Sequence, residues 1–307
     1  MEWTPGGTSG DIEDRRDSSG DDGGGGGGFN LGGGGGLGIG GLVIVVIISL
    51  VTGHNFLGSL FSGGGGGSTV SRSAPVDQDQ SSSRPAAQSH PAGEDRDVQL
   101  ISFVLDDAQK TWTQIFQSKG KTYRHAKLVI FRGRTQSGCG TAESATGPFY
   151  CPQDEKVYID LGFWDELKKF GGDTGDFAQS YVIAHELGHH VQKLLGIEGR
   201  EVRMVQANPS EKNALSVDLE LQADCFAGVW GHSTQQRKII DDKDIDGALK
   251  AAAAVGDDHL QKMSGRAVSP ESFTHGSSEQ RISWFRKGLS TGDPGACTTF
   301  DGKLAPQ

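Results

Sequence analysis

Apolar residues along this chain fall into three kinds of pattern. In LISFVLDDAQKTWTQIF they stand at 101, 104, 105, 108, 112, 115 and 116, a helical period that predicts an amphipathic helix over Arg96 to Ser118. Further helices are expected at Asp176 to Leu195, Glu211 to Gly231, Asp244 to Met263 and Ser277 to Leu289. Asp173, Thr174 and Asp176 offer N-cap choices for the second helix and Gly196 its stop, while Ser277 and Gln280 have capping-box spacing at the start of the last. Strand formers cluster at Lys127 to Phe131 and Lys156 to Leu161. The third pattern is continuous: no Asp, Glu, Lys or Arg occurs from Gly23 to Ser71, and Leu37 to Gly53 is one apolar run.

At 1.5 Å per residue that run reaches about 25 Å, and HNFLGSLF extends it to Phe61, so residues 37–61 read as a single transmembrane anchor. A cleaved signal peptide would carry a positive segment directly before the run, where this chain has an acidic tail and a glycine tract. A buried core helix fits poorly between two polyglycine flanks. Residues 1–36 are acidic and glycine-rich and are expected to be a disordered tail. Residues 62–95 read as a flexible linker of Gly, Ser, Pro and Gln, and residues 96–307 as the folded domain. The net charge of −10 and the lack of a basic stripe argue against nucleic-acid binding. The glycine tracts lack the Lys and Ser or Thr of a phosphate loop.

Candidate chemistry sits in VIAHELGHHVQ, Val182 to Gln192. His185 and His189 are four apart, so on a helix both imidazoles face one metal ion, with Glu186 turned beside them as a base for metal-bound water. Phe177, Tyr181, Val182, Ile183, Ala184, Leu187 and Val191 surround them, and burying such groups without partners costs several kcal/mol; a metal removes that cost. The alternative is a core helix with internally satisfied histidines. A third ligand is required. Gln192 and Leu195 occupy the positions where one subclass has Gly and a third His, which excludes that subclass. In SVDLELQADCFAGVW, Glu220 and Asp224 share a helical face; Glu220 is the expected third ligand and Asp224 the carboxylate orienting an imidazole. An exposed acidic stripe is the competing reading. His190 points elsewhere and reads as structural; His54, His90, His125, His232 and His259 have no ligand-like spacing.

HELGHHVQ, ELQADCFAG, DGALKAAAAVGDD and FTHGSSEQRISWF together resemble the bacterial family of neutral zinc metallopeptidases, over roughly Gly38 to Cys297, leaving the glycine-rich N-terminus outside. The ExxAD element is also similar to that of the HtpX and CAAX-prenyl-protease gluzincins, where the glutamate binds zinc. The resemblance implies an α+β, zincin-like metallopeptidase domain, mainly helical with a small sheet, acting on peptide or protein substrates.

The expected activity is therefore that of a membrane-anchored zinc endopeptidase: His185, His189 and Glu220 hold Zn²⁺, and Glu186 takes a proton from the attacking water. His275, in a glycine-containing loop ahead of a helix, is a candidate oxyanion donor or a local loop contact. Glu155 to Trp164 is either the strand that pairs with substrate backbone or an ordinary sheet strand. The rival reading is a zinc-containing, non-hydrolytic binding module. Cys139 with Cys151, and Cys225 with Cys297, are expected disulfides; four reduced cytoplasmic thiols are the alternative. Disulfides favour an extracytoplasmic catalytic domain, periplasmic or at the cell surface, with the N-terminus cytoplasmic. Arg15 and Arg16 lie too far from the anchor to decide orientation.

Overall fold

The structure, a computed structural model, describes residues 1–17 and 93–300. The apolar run at 37–61 and most of the 62–95 linker lie outside the described residues. Among the described residues no helix is long and apolar enough to cross a membrane. The fold is mixed α+β and mainly helical. Strand β1 (Ile12–Asp14) precedes helix α1 (Glu94–Ser118), then β2 (Lys127–Phe131), β3 (Arg134–Ser137), β4 (Gly140–Glu143), β5 (Phe149–Cys151) and β6 (Lys156–Asp160). Helices α2 (Phe163–Lys169), α3 (Asp176–Leu194), α4 (Ile197–Ala207), α5 (Lys212–Gln236), α6 (Asp242–Ala254), α7 (Asp257–Met263) and α8 (Ser278–Thr291) follow.

The main sheet has the order β1-β2-β6-β5, with β1, β2 and β6 parallel and β5 antiparallel to β6; β3 and β4 form a separate hairpin. The principal core joins the inner face of that sheet to α1, α3, α6 and α8, through Leu105, Leu128, Ile159, Tyr181, Leu187 and Phe285 among others. A second cluster, with Trp112, Phe226 and Phe300, packs α1 against α5. Both expected disulfides are present: Cys139–Cys151 braces the hairpin against β5, and Cys225–Cys297 ties α5 to the segment after α8.

Three expectations are corrected. The first concerns the tail, since residues 1–17 of the span expected to be disordered are folded onto the domain. Ile12, Glu13 and Asp14 pair with Leu128, Val129 and Ile130, and Trp3 packs on the main core while its Nε1 donates to Asp176 at 2.7 Å. Asp11 meets Lys127, Glu13 meets Lys156, and Arg16 pairs with Glu94. The averaged composition of 1–36 is dominated by the glycines after Asp22 and hides a short strand whose Glu13 pairs with Lys156 of the domain and whose Asp14 pairs with Arg16.

The second correction is that Asp244 to Met263 is two helices, broken before Asp257. Gly256 passes so close to Ser278 that an added Cβ would overlap that residue's backbone. The third concerns the substrate-pairing alternative for Glu155 to Trp164: β6 lies between β2 and β5, with Lys156 to Tyr158 paired on both edges, which favours the other alternative, an ordinary sheet strand. Among the described residues the outer strands of this sheet are β1 and β5.

Candidate active site

Helix α3 carries His185 and Glu186 at 6 % exposure each. An apolar helix can hold them only because α5 lies unusually close. Gly188 faces Ala223, where a Cβ would stand 3.0 Å from the Ala223 carbonyl oxygen. This approach brings Glu220 and Asp224, one turn apart on α5, opposite the two histidines.

The four side chains divide their work by atom. His185 Nδ1–H donates to Asp224 Oδ1 at 2.8 Å, and His189 Nδ1–H donates to Gln192 Oε1 at 2.9 Å. With those hydrogens placed, the lone pair of each neutral ring is on Nε2. His185 Nε2 lies 3.2 Å from one oxygen of Glu220, and His189 Nε2 lies 3.5 Å from the other. One ligand atom from each of His185, His189 and Glu220 falls within a 4.8 Å group, the one set among the described residues whose geometry could hold a metal ion. Two neutral nitrogen donors and one carboxylate fit a zinc ion with one position left open.

Charge in the site favours a cation. Burial opposes an imidazolium at His185, but Asp224 and Glu220 outweigh burial and raise His185 to about 10. Burial also works to raise Glu220, yet the histidines around it hold its carboxyl well below the usual range. A metal ion would replace the proton that these carboxylates attract. Glu186 touches no opposite charge closely enough to offset its burial, and its carboxyl is raised.

Asp224 is itself enclosed. Tyr181 Oη donates to its Oδ1 at 2.5 Å, and Arg281 from α8 donates Nε to Oδ2 at 2.9 Å and Nη2 to Oδ1 at 3.0 Å. Burial would raise Asp224, but Arg281 and His185 keep it lowered. Sequence reasoning missed Tyr181, Gln192 and Arg281 in these roles. Tyr181 and Gln192 were discoverable, standing one turn before His185 and three residues after His189; Arg281 gave no local signal.

His275 joins the site from the loop before α8. Asp257, first residue of α7, accepts the backbone N–H groups of Thr274, His275 and Gly276 on one oxygen, while His275 Nδ1 lies 3.3 Å from the other. His275 Nε2 is buried with no hydrogen-bond partner, in an apolar cleft whose wall includes His185, Glu186 and Glu220. His190 is elsewhere, bonded to Tyr150 Oη and to the Arg124 carbonyl oxygen, and so ties α3 to β5. His125 and His259 make separate surface or loop contacts, and His232 bonds the Leu289 carbonyl oxygen, joining α5 to α8; His54 and His90 lie outside the described residues.

The two HExxH histidines, one buried and one half-buried, and a facing glutamate make a group that could hold a metal ion, with a second glutamate beside it. Residues 1–300 match the family described as "Putative neutral zinc metallopeptidase", and the chain belongs to that family. The match includes the N-terminal segment, where the resemblance read from sequence began only at Gly38. An uncharacterised Escherichia coli (strain K12) protein, YpfJ, is 49 % identical over 302 residues, covering 98 % of this chain and 99 % of its own length. An uncharacterised Mycobacterium bovis protein is 46 % identical over 189 residues, covering 58 % and 63 %. No solved structure gives a significant match.

Proposed function

We propose that the protein is a zinc-dependent endopeptidase with a zincin-like fold. The observation that carries this reading is the convergence of both imidazole Nε2 atoms on the Glu220 carboxylate, while each Nδ1 is held by another side chain. A zinc ion held by His185, His189 and Glu220 would supply Lewis acidity, making water a better nucleophile and polarising a peptide carbonyl. Glu186 is the base. Burial makes its carboxylate a stronger proton acceptor than a free glutamate, and the proton it takes from water it can return to the leaving amine. Asp224, clamped by Tyr181 and Arg281, keeps His185 in the tautomer that presents Nε2.

His275 has an unpaired Nε2 in the cleft, positioned by Asp257, and in the doubly protonated ring that atom donates to the oxygen of a carbonyl under attack. The substrate backbone is best served by β5, whose outer edge has no strand partner among the described residues and whose Phe149 and Tyr150 border the cleft beside Glu186 and His189. Strand addition there needs few specific side chains.

The test is metal analysis together with peptide turnover. Zinc at one per chain and cleavage of peptides are expected, and Glu186→Gln should keep the zinc while hydrolysis falls about 10³-fold or more. Zinc without turnover across broad peptide libraries would favour the non-hydrolytic binding module.

A further inference from the structure

A second cleft borders residues of the same metal centre, and His275 is not in its walls. Its walls include Glu186, His189 and Glu220, then Tyr150, Glu198 and Glu201. The cleft is open to solvent and narrow, about 40 Å³ in volume, so it admits the slender end of a side chain while the rest stays in its mouth. Glu198 and Glu201 are three residues apart on α4 and so share a face.

These two glutamates are unlike the other acidic side chains at the site. Glu201 is only 1 % exposed, and one carboxylate oxygen of each, Glu198 Oε2 and Glu201 Oε1, is buried without a hydrogen-bond partner. Arg200, between them in sequence, likewise leaves its Nε unpaired. Burial raises both carboxyls, with the charge of Glu198 adding to the effect on Glu201, which is pushed up to about 7. Buried acceptors without donors are costly and uncommon. Here two of them border a cleft that opens from the reacting centre.

We propose that Glu198 and Glu201 form a subsite for a basic residue of the peptide, accepting hydrogen bonds from a lysine ammonium or arginine guanidinium bound beside the metal centre. The inference rests on the peptide-binding reading of that centre. A second metal ion fits less well, because the pair brings no third ligand: the one metal-capable group of three among the described residues is His185, His189 and Glu220. An organic cation needs no such third ligand, and charge-assisted bonds to two carboxylates hold it well.

Binding can be measured without turnover. The zinc-loaded full chain carrying Glu186→Gln is titrated, by fluorescence anisotropy, with peptides that differ only in lysine against norleucine at each position in turn. Lysine at one position should tighten binding at least 10-fold, and Glu198→Gln with Glu201→Gln should abolish that preference while leaving the norleucine peptide unchanged. Zinc content and melting curves check that the double variant is folded; should it fail, Glu201→Gln alone is expected to reduce the preference. No lysine preference, a preference that survives the substitutions, no binding of either peptide, or a second zinc ion lost with the two glutamates would each overturn the subsite. Absence of turnover by the unsubstituted protein, with the lysine preference intact, would instead defeat the hydrolytic reading alone.

Discussion

Glu220 and Asp224 stand one turn apart on the same helix, yet their surroundings give them opposite tasks. Glu220 turns both oxygens to the imidazole Nε2 atoms, while Asp224 is saturated by Tyr181, His185 and Arg281. Glu220→Ala should therefore lose zinc outright and lower thermal stability, since metal binding is linked to folding. Asp224→Ala should weaken zinc affinity by about 10 to 100-fold, with metal recoverable at higher free zinc. It should also cost about 3 kcal/mol or more of stability, because Arg281 is left buried and unpaired. Zinc titrations and melting curves of both variants check this, and tight zinc retention in Glu220→Ala with loss in Asp224→Ala would invert the assignment. Helical periodicity made it legible that His185 and His189 share one face with Glu186 beside them, and that Glu220 and Asp224 share another; that the two faces meet was expected from the small neighbours of Glu220 and from the resemblance of the ExxAD element. Arg281, 57 residues from Asp224, was not. The partner of a buried charge is chosen by tertiary packing, which no local pattern encodes.

Helices α5 and α8 meet with almost nothing between them. A Cβ on Gly288 would overlap the Cys225 carbonyl oxygen, and one on Gly228 would overlap that of Phe285. Backbone obstructs both positions, so neither side can yield by changing a rotamer. This contact delivers Arg281 to Asp224, and the Cys225–Cys297 disulfide fastens the same pair of segments. Gly288→Ala is expected to cost about 1–3 kcal/mol through overpacking, seen as a melting temperature lower by roughly 2–12 °C for a domain of this size. It should also weaken zinc binding as Arg281 is drawn away from Asp224. An unchanged melting temperature with unchanged zinc affinity would show that the close approach is not required. Helix α1 was readable from periodicity because it buries one continuous face, whereas α3, α5, β2 and β6 are buried on more than one face and were readable from the length of their apolar runs. Helices α2 and α4, the β3–β4 hairpin and strand β5 were not anticipated: they are short, and their burial depends on neighbours distant in sequence. The break before Asp257 was missed because GDD continues a helical pattern, and only the packing of Gly256 on Ser278 forbids the continuation.

Strand β1 bears on where the protein resides. Parallel pairing with β2, the Trp3 bond to Asp176 and the Arg16 pair with Glu94 are contacts at hydrogen-bond range, and no such contact spans a bilayer whose hydrocarbon core is about 30 Å thick. The same holds if the strand comes from a second copy of the chain. Residues 1–17 and 93–300 are therefore expected in one compartment, whereas a single crossing by residues 37–61 would leave them in two. The disulfides Cys139–Cys151 and Cys225–Cys297 favour an oxidising side for both parts. Thr8 and Gln235 are exposed, and the native cysteines are all paired, so Thr8→Cys and Gln235→Cys report on the two parts separately. A membrane-impermeant maleimide, added to cells with any outer envelope opened and the inner membrane intact, should label both. Labelling of Gln235→Cys with Thr8→Cys protected would restore the single crossing and set β1 apart from its sheet in the cell. Protection of both would keep the two parts together but place them on the reducing side, against the disulfides.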